Sequence, residues 1–119
     1  MNDQITYIDQ IYNRLQKINP YKIILFGSLA YGDPKEDSDI DIIVVTNDMF
    51  YPNNYREHMD IYLKVSHLLT DIIKNQPIDL IVYTKPMYDK FIELDSMFSR
   101  EIQQKGKIIY EKDSQGMVG

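Results

Sequence analysis

The chain has no cysteine, which excludes disulfides and thiolate metal ligands alike. Histidine is nearly as scarce. His58 and His67 are the two present, and they lack partners at metal-binding spacing, so a metal site here has to be built from oxygen. No run of about 18 apolar residues occurs, so no membrane-spanning helix or membrane partner is expected. The first residues lack the basic-then-apolar pattern of a secretory leader, and a cytoplasmic location is the expectation. Positive charge is in short supply: 13 Lys and Arg stand against 18 Asp and Glu, for a net charge of −5 and a pI near 4.9. Nucleic-acid binding rests on neutralising phosphates with Lys and Arg, so no direct nucleic-acid partner is expected. Repeats, linkers and low-complexity tracts are missing as well. At 119 residues there is room for one domain, expected over residues 1–112 and followed by a flexible tail over 113–119.

What is present reads as an alternation of helices and strands. Ile5, Ile8, Ile11, Leu15 and Ile18 form a helical stripe over residues 3–18. Pro20 ends it and should push Asn19 toward extended geometry. Residues 21–26 read as a buried strand, 27–31 as a short helix, and Gly32-Asp33-Pro34 as a turn. Ile40 to Val45 is β-branched almost throughout and predicts a central strand. After a loop over 46–54, a long helix is expected over 55–74, then a third strand over 78–83 following Pro77. A last helix over 86–105 should turn Tyr88, Phe91, Phe98 and Ile102 inward and be capped by Gly106. Lys107 to Tyr110 then offers an edge strand. The order α-β-α-β-α-β-α implies an α/β fold, a small mixed sheet flanked by helices.

The segment from Leu25 to Val45 carries the chemistry. Its first strand ends in Gly27-Ser28, and ten residues later Asp39-Ile40-Asp41 opens the next strand. Side chains two apart on a strand share a face, so Asp39 and Asp41 project together while Ile40 and Ile42 face the core. Asp79 opens the third strand in the same manner. If the second and third strands pair, three carboxylates converge. Two unit charges about 4 Å apart repel by roughly 4 kcal/mol at an effective dielectric near 20, so such a cluster calls for a cation. Oxygen-only ligands suit Mg²⁺ or Mn²⁺, and two such ions would activate a hydroxyl and neutralise a reacting phosphate. Gly27 lets a phosphate approach the backbone, while Ser28 and the N–H groups after it offer donors. The glycine spacing fits neither a P-loop nor a dinucleotide-binding turn. Each piece alone is ordinary. Gly-Ser is a common turn, and Asp-x-Asp arises easily where Asp outnumbers Glu thirteen to five. Their conjunction carries the reading.

At these residues the chain resembles the DNA polymerase β-type nucleotidyltransferase superfamily, whose signature is Gly-Ser, ten residues, Asp-x-Asp, and a third Asp on a later strand. Its small size is similar to that of the minimal nucleotidyltransferases, a group that includes the antitoxin partners of HEPN-domain toxins. The resemblance implies that Gly27 and Ser28 hold the triphosphate of ATP. It implies that Asp39, Asp41 and Asp79 bind Mg²⁺, two ions in all, with Asp79 a metal ligand or the general base. The implied reaction is transfer of AMP from ATP to a hydroxyl, a tyrosine on a HEPN-domain toxin. Two other readings stay open: an antitoxin that acts by binding alone, and an enzyme acting on an aminoglycoside-like acceptor. One departure stands out. Where many relatives carry Arg after Gly-Ser, this chain has Leu29 and Tyr31, and Lys35 or Arg56 are the candidate substitutes.

Other features read as structural. His58 and His67 are expected on a helix surface, and the ten tyrosines as core and boundary aromatics. Tyr31 is set apart by its place beside the phosphate turn. The aromatics of Met49 to Tyr55 read as a packed loop or, alternatively, as a docking or nucleotide-closing loop. Lys105, Lys107 and Lys112 read as one solvated basic face.

Overall fold

The computed structural model describes residues 3–32 and 39–112, the side chains of residues 3–5 excepted. The turn expected at Gly32-Asp33-Pro34, Lys35 and the tail over 113–119 therefore lie wholly or partly outside the described residues. The elements are α1 (Asp3–Leu15), β1 (Lys22–Phe26), β2 (Ile40–Val45), α2 (Tyr55–Ser66), α3 (Thr70–Ile73), β3 (Ile78–Tyr83), α4 (Lys85–Glu93), α5 (Met97–Lys105) and β4 (Lys107–Glu111). The sheet order is β3-β2-β1-β4. β1 is antiparallel to β2 and to β4, whereas β2 and β3 run parallel. This is the small mixed α/β sheet expected from the sequence.

Why β2 reads as an unbroken β-branched run follows from its surroundings. Ile40, Ile42 and Val44 face one apolar cluster, shared with Ile11 and Leu15 of α1 and Ile61 and Val65 of α2. Ile43 and Val45 face a second, built with Ile24 and Phe26 of β1, Tyr88 of α4 and Ile102 of α5. A strand covered on both faces shows no polar alternation. The parallel β2–β3 pair needs a crossover, which α2 and α3 provide. The caps are local: Asn54 accepts from the Glu57 N–H, Thr84 from Met87, and Ser96 from Ser99, and each ties down a first-turn donor.

Several boundaries differ from expectation. The segment 27–31 is a turn closed by one bond, from the Tyr31 N–H to the Gly27 carbonyl at 3.0 Å, rather than a short helix. The helix expected over 55–74 passes through a 3₁₀ turn at His67–Leu69. The one expected over 86–105 breaks at Asp95, whose φ of 50° is left-handed, and Ser96 then caps a new helix. Asn19 is left-handed too (φ 47°, ψ 63°), not extended, with its N–H bonded to the Gln16 carbonyl; asparagine tolerates that region where most residues do not. Gly106 ends α5 as expected, although with extended ψ, and a Cβ there would meet the Ile102 carbonyl and Ile24. The loop before α2 is not packed: Met49, Phe50, Tyr51 and Tyr55 are exposed.

Candidate active site

The sheet brings the sequence-predicted residues to one end. Phe26, the last residue of β1, sits opposite Asp41, and Gly27 follows it. Across the parallel pair, Asp41 stands beside Asp79. That register is what the convergence of carboxylates required. Asp39 lies just before β2 and is exposed, Asp79 is exposed on β3, and Asp41 is half-buried between them and β1.

The electrostatics follow from this placement. Burial pushes the Asp41 carboxyl above its ordinary range, and the neighbouring charges of Asp79 and then Asp39 push it further. A half-buried carboxylate with acids for neighbours favours any arrangement that brings in a cation. Gly27 is part of the same construction. Its φ is +76°, and a Cβ placed there would lie 2.0 Å from Oδ2 of Asp41. The glycine thus has two jobs, a left-handed turn and room for this carboxylate.

The donor set fits a hard cation: two carboxylates from adjacent strands and a third from just before β2, no sulfur and no imidazole. As they stand, however, no three acidic or imidazole side chains among the described residues are disposed to grip one ion. The carboxylates are gathered within electrostatic reach, not closed into a cage. Ser28 is half-buried in the turn after β1. Arg56 lies in the first turn of α2, at the opposite end of the sheet. His58 contacts the Val82 carbonyl at 3.3 Å, a structural role.

One concavity of about 480 Å³ is lined by Tyr21, Lys22, Lys85 and Tyr88, and another of about 450 Å³ by Asp48, Phe50, Tyr51 and Glu57. Neither contains the carboxylates. On the α5 side, the Tyr31 hydroxyl donates to Oε2 of Glu101 at 2.7 Å, and the Lys105 ammonium stands 5.6 Å from the centre of the Tyr31 ring. Sequence reasoning missed these two α5 residues. Their i,i+4 spacing signals only a surface pair, and nothing local brings them to residue 31. Of the three lysines read as one face, Lys107 pairs with Leu25 in register, while the Lys112 N–H bonds to the Tyr21 carbonyl at the far end of β1.

A family model described as polymerase beta, nucleotidyltransferase matches residues 8–115. A Methanocaldococcus jannaschii protein named "Putative protein adenylyltransferase MJ1379" is 34% identical over 79% of this chain and 96% of its own length. Among solved structures, one described as "a putative nucleotidyltransferase" from Sulfolobus solfataricus superposes with a TM-score of 0.57 at 19% identity, over 92% of this chain and 85% of that one. A toxin–antitoxin structure with AMP-PNP gives 0.52 at 18% identity, over 92% and 77%. The two structures share the fold with this chain.

Proposed function

We propose, for a nucleotidyltransferase that belongs to the polymerase beta family, that this chain transfers AMP from ATP to a tyrosine hydroxyl of a HEPN-domain toxin and so serves as the antitoxin of the pair. The observation that carries the reading is the register of Asp41 beside Asp79, with Asp39 two residues away and Gly27 across from them. The similarity to a protein named for protein adenylyltransfer, and the shared fold of a toxin–antitoxin structure with AMP-PNP, support adenylyl transfer to a protein and a toxin as that protein; the tyrosine and the HEPN domain rest on the resemblance alone.

In this reading Gly27 and Ser28 hold the triphosphate against the turn, and Asp39, Asp41 and Asp79 hold Mg²⁺, two ions. Bound there, the metal would polarise the α-phosphate and offset the charge that builds on it. Asp79, exposed on the outer strand, takes the proton of the acceptor hydroxyl or completes the metal site. The acceptor oxygen forms the new bond to the α-phosphorus, the bond to the bridging oxygen breaks, and pyrophosphate leaves. Asp39 and Asp79 are exposed, which suits a side chain presented by another protein. A small acceptor needs enclosing walls, and neither of the two concavities described above is lined by Asp39, Asp41 or Asp79. This weighs against an aminoglycoside-like acceptor.

The test is intact mass of both chains after incubation with the toxin, ATP and Mg²⁺. AMP added to the toxin by the wild type and not by Asp41→Asn is the expected result. A second reading, inhibition by binding alone, is favoured by Leu29 and Tyr31 standing where many relatives carry arginine. It predicts a stable complex with no mass change.

A further inference from the structure

The phosphate turn has two unlike flanks. On the β2–β3 side stand Asp39, Asp41 and Asp79, all acidic. On the β4 side stands α5, which carries Glu101 and Lys105 to Tyr31. A triphosphate brought to Gly27 and Ser28 carries its charge across both flanks. The acidic flank takes it only through metal, and the β4 flank offers a cation directly.

Glu101 and Lys105 are spaced i,i+4 with the acid on the N-terminal side, the favoured order for an ion pair on a helix. They do not form one. Arg14, Lys22, Lys64, Lys85, Lys90 and Arg100 hold carboxylates; Lys105, like Lys17, Arg56, Lys74, Lys107 and Lys112, makes no ion pair among the described residues, but of these unpaired cations it is the one that lies over an aromatic ring. The reason is Tyr31. Its hydroxyl engages Glu101, and its ring face receives the Lys105 ammonium instead. Burial and the bond to Glu101 both raise the phenol pKa, so it stays a donor. A cation–π contact at an exposed site is weaker than a charge-assisted hydrogen bond to phosphate. The ammonium is therefore parked beside the turn and easily drawn onto an anion.

Resting on the reading above, we propose that Tyr31, Glu101 and Lys105 form a polyphosphate subsite, in which Lys105 takes the terminal phosphates of a nucleoside triphosphate and Tyr31 keeps Glu101 from neutralising it. Tyr31 is a positioning residue here, and Lys105 is the residue that touches the ligand. The subsite discriminates triphosphate from monophosphate and holds the pyrophosphate as it leaves.

Calorimetric titration with a nonhydrolysable ATP analogue and with AMP, both with Mg²⁺, tests this. Lys105→Ala should weaken the ATP analogue about tenfold, the loss of one charged hydrogen bond, and leave AMP nearly unchanged. Lys105→Gln carries the same test if the alanine variant melts early. Tyr31→Phe frees Glu101 to pair with Lys105 and should weaken the ATP analogue as well, while adding Glu101→Gln should restore it. Lys112→Ala, at the other end of β4, should change neither ligand. Wild-type affinity in both Lys105 variants, equal loss for both ligands, or no rescue in the double variant would overturn the subsite while leaving the nucleotidyltransfer reading in place. A wild-type protein that binds no ATP analogue would overturn both.

Discussion

Asp41 near the start of β2 and Asp48 in the loop just past its end are both half-buried, and their environments push them in opposite directions. Asp48 accepts from Lys64 Nζ at 2.9 Å and from the Thr46 hydroxyl at 2.8 Å. Burial works against its ionisation, yet these partners hold its carboxyl below the usual range. Asp41 has the burial without such partners among the described residues and two acids for neighbours, and its carboxyl is held above that range. A chain that secures one aspartate with a lysine and a threonine can secure another. Leaving Asp41 unsecured costs stability, and in the reading proposed above that cost goes with a place kept for a ligand.

The contrast can be broken at several points. Asp41→Asn should cut nucleotidyl transfer by well over the roughly 10–100-fold lost when a residue merely supporting a metal site is removed. The same change should leave the melting temperature equal or raised, because like-charge repulsion goes with the carboxylate. A fall in both activity and melting temperature would place Asp41 with Asp48 as a structural residue. Gly27→Ala should also abolish transfer. It should destabilise by about 1–3 kcal/mol, since its Cβ falls on the Asp41 carboxylate and its φ is left-handed; equilibrium unfolding reads this directly.

Asp48→Asn should do the reverse. Lys64 is partly exposed, so solvent screening limits the loss to about 0.5–1 kcal/mol, with transfer unchanged when initial rates are compared. The smallest effect is in pH dependence of the metal-free protein. Asp48 ionises more readily folded than unfolded, so its contribution is present above the unfolded pKa and lost as pH falls through its depressed value. Asp41 binds its proton more tightly when folded, so its contribution is present at low pH and lost as pH rises through its raised value. Melting temperature across pH should therefore show a smaller acid-side loss in Asp48→Asn and a smaller loss above the usual carboxylate range in Asp41→Asn.

Most of this arrangement was legible in the chain because it depends on period. Asp39 and Asp41 share a face by the alternation of a strand, and the apolar run behind them predicts burial on both sides. Asp79 was legible as a strand-opening acid, but its place beside Asp41 needed the parallel register. The break at Asp95 was not visible, because one residue entering the left-handed region leaves the apolar stripe of Tyr88, Phe91, Phe98 and Ile102 intact. Nor was the fate of the three lysines. Adjacent in sequence, they are divided by the turn at Gly106 and the length of β4, so that Lys105 reaches the Tyr31 ring and Lys112 the opposite end of the sheet. The aromatics from Met49 to Tyr55 left two readings open in the sequence, a packed loop or a docking or closing loop, and their exposure removes the first.

The sheet's closing move is that β4, made last, lies beside β1, made near the beginning. Contacts this far apart in sequence form late, because the intervening chain must first be ordered. A nascent chain released before residue 97 would lack the phenylalanine that packs on Phe26 and would leave β1 as an open edge. Synthesis thus imposes a delay: the first strand and its turn emerge early, but they acquire a finished wall only when the end of the domain leaves the ribosome.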